Sequence, residues 1–162
     1  MRKTNILFGF IALTLLACSS LTPAERAERE ARVTQAVEKS LEDRHYTVEV
    51  QMMYPRTGRA INVTSNYSLE VKGDTVVSYL PYFGRAYDVP YGGGKGLNFM
   101  APISRYNAEK DKKGRTHVTL VTDNQEDVIT YELEILSSGQ TTIDMHSRNR
   151  EPISYSGELV VE

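Results

Sequence analysis

The side chains able to do chemistry in this 162-residue chain are few and scattered. Three histidines, His45, His117 and His146, stand too far apart in sequence to make a recognisable metal pair, and the zincin spacing is absent. His146 lies two residues from Asp144 on an expected strand, so the two share a face, and Thr142 or a distant serine could join them. Such a trio is more often a solvated strand face than a catalytic one. No Gly-x-Ser-x-Gly elbow occurs. The run Gly92-Gly93-Gly94-Lys95-Gly96-Leu97 looks like a phosphate loop but lacks the Ser or Thr that must follow Gly-Lys, and the strand–loop–helix setting, so it reads as a loop tip. Carboxylate pairs for glycoside hydrolysis are set in space rather than in sequence, and nothing singles one out. The lone cysteine, Cys18, rules out an intrachain disulfide framework and a four-cysteine zinc site. No catalytic residue, metal or cofactor is expected.

Cys18 sits in a telling place. Arg2 and Lys3 form a positive n-region, and Ile6 to Ala17 is an apolar run. It falls short of the about twenty residues a helix needs to span a bilayer and fits the h-region of a secretory signal. The run ends in Leu15-Leu16-Ala17-Cys18, which resembles the lipobox of bacterial lipoproteins. That resemblance implies that Cys18 becomes the lipidated first residue of the mature chain. One acyl chain holds only marginally, so a stable anchor takes more than one. Removing residues 1–17 leaves 17 basic against 21 acidic side chains, so electrostatic adsorption to anionic lipid is not the anchor, and there is no basic footprint for nucleic acid. Ser19 rather than an aspartate follows the cysteine. By the sorting rule of such lipoproteins, this points to the outer membrane, with the periplasmic side expected.

The elements that position everything else follow from patterning. Thr22-Pro23-Ala24-Glu25 is a helix start, with a threonine N-cap, proline at the first helical position and glutamate at the third. Glu25–Arg29 and Glu28–Arg32 are spaced to pair at i,i+4. The helix runs to about Arg44, polar all round at first and then with Val33, Val37 and Leu41 in one stripe, a spacer that ends in a packing surface. From His45 the period becomes two. Tyr46 to Tyr54 and Ile61 to Val71 alternate, and further strands are expected over 75–80, 98–106, 115–123, 128–137, 140–147 and 152–161. Short connections favour antiparallel neighbours. The expected organisation is a signal peptide at 1–17, a lipidated cysteine, spacer and helix at 18–44, and an antiparallel β domain at 45–162. The fold class is mainly β: about eight antiparallel strands as a small barrel or a two-sheet sandwich, with one N-terminal α-helix.

Residues 81–97 break the rhythm and exceed the roughly 12–15 residues beyond which structureless loops become uncommon. They carry Tyr82, Phe83, Tyr87 and Tyr91 with Arg85, Asp88 and Lys95. Aromatics in a loop either pack back on the scaffold or face a ligand. The run from Gly73 to Tyr87 (GDTVVSYLPYFGRAY) and that from Ser147 to Gly157 (SRNREPISYSG) resemble the two signatures of a Bacteroidota lipoprotein family catalogued as domain of unknown function 4251. The second departs at Glu151-Pro152, where a glutamine is expected. The resemblance implies an exported, lipidated β-rich domain and brings no activity, substrate or catalytic residue. Asp74-Thr75-Val76 also resembles the O-glycosylation sequon of exported proteins from that phylum, which makes Thr75 a candidate acceptor.

Both signatures combine arginine, tyrosine and glycine at a strand end. Arg85, Arg148 and Arg150 could pair with Asp88 or Glu151 and lock the long loop to the last hairpin. Alternatively, Tyr82, Phe83, Arg85, Tyr87, Tyr91, Arg148 and Arg150 line a mouth for an anionic or sugar-like ligand, although no tryptophan is present as a sugar platform. The functional expectation is a non-enzymatic, membrane-anchored periplasmic domain that binds a small ligand or an envelope protein. An envelope hydrolase with an unrecognised acid/base pair, and a structural part of an outer-membrane assembly, are the rivals.

Overall fold

The computed structural model describes residues 22–88 and 96–161. One helix, α1 (Pro23–Glu42), precedes nine strands: β1 (His45–Pro55), β2 (Ile61–Asn62), β3 (Ser68–Lys72), β4 (Thr75–Leu80), β5 (Leu97–Lys110), β6 (Thr116–Asp123), β7 (Val128–Ile135), β8 (Gln140–Ser147) and β9 (Ile153–Val160). Every pairing between strands is antiparallel. The sheet runs β1-β3-β4-β5-β6-β7-β8-β9 and returns to β1, and β2 adds a short ninth strand on the upper half of β1. Of the two architectures open to the sequence, the chain adopts the closed eight-stranded barrel.

Closure rests on alternation. Tyr46, Val48, Val50 and Met53 of β1 point inward with Ile129, Tyr131, Leu133 and Ile135 of β7 and Ile143 and Met145 of β8. An eight-stranded barrel is just wide enough for side chains to fill, and the buried rings of Tyr131 and Tyr155 and the Met53 side chain occupy this one. The two tyrosine hydroxyls have internal partners. Tyr131 donates to Ser78 Oγ at 3.0 Å, Ser78 in turn donates to the Leu97 carbonyl at 2.8 Å, and Tyr155 donates to the Pro81 carbonyl at 2.7 Å. Burial pushes both hydroxyls far above the ordinary tyrosine range, so they stay protonated as structural donors.

Helix α1 seals the lower rim. Thr22 and Glu25 form the expected capping box. Glu25 therefore turns back to the cap, and Glu28–Arg32 forms as the i,i+4 ion pair. Val37 and Leu41 are buried in the core and Val33 packs at its edge. The helix crosses from the β7–β8 turn, where Thr34 donates to the Ser137 carbonyl, past an ion pair between Glu38 and Lys110, to the start of β1. Among the described residues no helix is long and apolar enough to cross a membrane.

Two features differ from the expected strands. The run expected over Ile61–Val71 divides into β2 and β3, because Tyr67 N–H bonds to the Ser65 carbonyl and turns the chain between them. β5 is longer than expected, pairing with β4 through its first half and with β6 through its second. Register shifts interrupt β1 between Val50 and Met52 and β5 between Ile103 and Arg105. Bulges of this kind sharpen coiling and let a sheet close.

At the first bulge the backbones of β1 and β9 come very close. A Cβ added at Gly157 would lie 2.8 Å from the Glu49 carbonyl carbon and 3.0 Å from Val50 Cα, with the Glu49 carbonyl oxygen closer still. Backbone cannot yield as a side-chain tip does. Gly157→Ala is therefore expected to lower stability by about 2–3 kcal/mol, the scale of core overpacking, as a reduced urea midpoint. An unchanged midpoint would show that the strands do not meet this closely.

Candidate functional site

Of the residues singled out in the sequence, the upper rim gathers Tyr82, Phe83, Arg85, Tyr87, Arg148 and Arg150. Three connections meet there: residues 81–96 between β4 and β5, 124–127 between β6 and β7, and 148–152 between β8 and β9. The first part of the long segment is not a free loop. Ala86 and Arg150 form an isolated antiparallel bridge, with Tyr87 N–H donating to the Asn149 carbonyl at 2.7 Å and Glu151 N–H to the Arg85 carbonyl at 2.9 Å. Arg85 N–H donates to Glu151 Oε2 at 3.2 Å. Tyr82 folds beneath this turn and its hydroxyl bonds the Arg85 and Glu151 carbonyls at 2.8 and 3.1 Å. Burial raises the Tyr82 hydroxyl above its usual value, opposed by the positive charge of Arg150. Gly84 lets the Tyr82 hydroxyl approach closely, since a Cβ there would come within 2.6 Å of the Tyr82 oxygen and push the ring aside.

The two signatures are thus clamped together as expected, with Glu151 bound by the Arg85 backbone, but among the described residues no Arg85, Arg148 or Arg150 side chain forms an ion pair with Asp88 or Glu151. The arginine side chain that is buried is Arg150, and its partner is Asp127 of the β6–β7 turn, with Nε 3.8 Å from Oδ2. Only 7% of the Arg150 side chain and 2% of that of Asp127 are exposed. The guanidinium lies 5.6 Å from the Tyr82 ring centroid, within cation–π range. Ser147 donates to Asp127 Oδ2, and Asn149 Nδ2 donates to the Glu126 carbonyl at 3.2 Å, which ties the third connection in. The Arg85 backbone carries its contacts, while its side chain is exposed, as is that of Arg148.

What this platform shows to solvent is aromatic and cationic. Phe83 is 63% exposed and Tyr87 64%, beside Arg85 and Arg148. Tyr91, Cys18 and the glycine–lysine run at 92–95 lie outside the described residues. Thr75 opens β4 half-buried, opposite Lys72 and Pro102. Ser154 donates to Asp144, but the bond runs from serine to carboxylate without His146 between them, so no relay forms. His117 lies 3.5 Å from Asp111 Oδ2 beside the Arg115–Glu134 pair. Backbone and side-chain donors of Arg115 hold the Asp111 carboxyl well below its usual range. Among the described residues no group of three or more His, Cys, Asp or Glu is placed to hold a metal.

Sequence reasoning missed Asp127. An aspartate in the turn Asn124–Asp127 reads as solvated, and its partner is distant in the chain. Removing one member of a buried ion pair strands the other charge. Arg150→Ala is expected to cost about 3–5 kcal/mol in urea unfolding, whereas Arg85→Ala and Arg148→Ala should stay within about 0.5 kcal/mol. Equal effects at all three positions would contradict the assignment of the clamp to Arg150.

Comparison with known proteins gives a consistent family and no activity. No functionally curated protein matches the sequence. A solved structure of a DUF4251 family protein from Bacteroides eggerthii DSM 20697 superposes with a TM-score of 0.64 at 17% identity, covering 83% of this chain and 91% of the other. At that identity the likeness is one of fold. The family model described as "Domain of unknown function (DUF4251)" matches residues 27–159, taking in the packing end of α1, the whole barrel and both clamped signatures, and the chain belongs to that family.

Proposed function

We propose that the protein is a non-enzymatic binding module, held at the outer membrane through lipidated Cys18 and facing the periplasm, whose upper rim docks an envelope partner protein. The observation that carries this reading is the pair of exposed rings, Phe83 and Tyr87, on a segment whose backbone is pinned to the last hairpin. A filled interior leaves recognition to the outside of the barrel. Pinning the backbone before binding lowers the ordering cost of an interface, and aromatic and arginine side chains are the groups that anchor interfaces most often. Arg85 and Arg148 beside the rings suit a partner surface that mixes apolar and acidic side chains. Thr75, on the outer wall near the lower rim, is the glycan acceptor in this reading and stays clear of the docking rim.

Two measurements test the reading separately. Cys18→Ser should move the protein from the membrane to the soluble fraction and abolish acyl incorporation; retention in the membrane would overturn the anchor. A photo-crosslinking residue at position 83 or 87 should capture one envelope protein in intact cells, and the same probe at Glu132, on the exposed wall, should not. Equal capture at all three positions would overturn the rim as the docking surface.

A further inference from the structure

The outer wall of the barrel carries two hollows that meet at Gln51. One, of about 320 Å³, lies over β7, β8, β9 and β1 and includes Glu134, Gln140, Thr142, Ser156 and Glu158 in its lining. The other, of about 390 Å³, lies where β1 parts from β3 and is lined by Glu49, Asn62, Thr64, Ser65, Asn66 and Tyr67. Both volumes are within the range of roughly 300–1,000 Å³ of small-molecule sites.

The bulge in β1 creates this arrangement. Val50 N–H bonds to the Tyr67 carbonyl and Val63 N–H to the Gln51 carbonyl, so the chain between β2 and β3 peels away from the wall and leaves the second hollow. The extra residue of the bulge is Gln51, which turns its amide outward to serve both hollows. On the other side Ser156, Gly157 and Glu158 of β9 complete the lining of the first hollow.

The lining is selective. It holds amides, hydroxyls and carboxylates, and no lysine, arginine or histidine. Glu134 is neutralised by Arg115 from outside the hollow. Glu49 and Glu158 face each other across β1 and β9, both exposed, and neither has an ion-pair partner among the described residues. Like charges directly opposite on a sheet are locally unfavourable, and together they repel an anion. Aromatic rings flank the run: Tyr67 stacks on Tyr79 at 4.9 Å, with Tyr79 43% exposed, and Tyr54, 42% exposed, bonds Ser156 Oγ at 3.1 Å.

We propose that this two-part groove binds a neutral oligosaccharide, with the Gln51 amide at its centre and tyrosine faces at its ends. Each sugar hydroxyl both donates and accepts, which matches the amides of Gln51, Asn62, Asn66 and Gln140. The carboxylates accept from hydroxyls, and the C–H face of a pyranose packs on an aromatic ring. An acidic glycan is excluded by Glu49 and Glu158.

The test is calorimetric titration of the purified full chain, held in a non-glycosidic detergent, with maltohexaose, cellohexaose, mannohexaose, xylohexaose and chitohexaose, with a hexagalacturonate and spermidine as charged controls. At least one neutral hexaose should bind with a Kd below about 1 mM, and neither control should bind or compete. Gln51→Ala and Asn66→Ala, both exposed side chains, should weaken binding at least roughly tenfold with unchanged thermal unfolding. Phe83→Ala should leave it intact, which separates this site from the docking rim. No binding by any neutral hexaose, displacement by spermidine, or binding insensitive to both wall variants would overturn the proposal.

Discussion

The pairing of β1 with β9 is the constraint on which the molecule depends. Eight strands become a barrel only if the first and last join, and here they join across a bulge where Gly157 lets one backbone rest on the other. Closure removes the free edges that an open sheet would expose, and it turns one face of each of the eight barrel strands into a filled interior. The same bulge turns Gln51 outward and separates the upper half of β1 from β3. A device for closing the sheet is thus also the source of the relief on the wall.

The two ends are sealed by different chemistry. At the lower rim α1 lays Val33, Val37 and Leu41 across the opening, so that apolar burial, worth about 1.5–3 kcal/mol for each fully buried large aliphatic side chain, does the sealing. The upper rim has loops, which carry polar backbone that must be satisfied. The side chains of Tyr82, Tyr155, Asn124, Ser147 and Asn149 meet that demand, and Arg150 and Asp127 pair beneath them. A buried ion pair is a poor source of net stability, because desolvation offsets most of the attraction. Its effect here is positional: Arg150 can be accommodated only with the β6–β7 turn and the 81–88 segment both in place. The exposed Phe83 and Tyr87 rings are therefore held by a backbone with few alternatives.

The reading of the residues agrees with the structure where the interaction is local or periodic. The capping box of Thr22 and Glu25, the apolar stripe of α1 and the alternation of the later strands all depend on neighbours within a turn or two. The departures have a common origin. Glu25 faced a choice between Arg29 and its own cap, and the cap prevailed. Ile61–Val71 alternates except at Ser65, and Ser65–Tyr67 turns there, where β1 bends away and leaves no partner for a continuous strand. Arg150 was expected to pair with a nearby acid and instead pairs with Asp127.

The sequence by itself determined a mainly β chain with one N-terminal helix, the short connections that make its strands antiparallel, and the two signatures that mark the family. These follow from the 3.6- and two-residue periods and from turn chemistry, which act over a few residues. Only the tertiary structure decided barrel over sandwich, the burial of Arg150 against Asp127, the exposure of Phe83 and Tyr87, and the meeting of two polar hollows at Gln51. Each of these depends on which strands become neighbours when the sheet closes, and side-chain alternation is the same on either side of that choice.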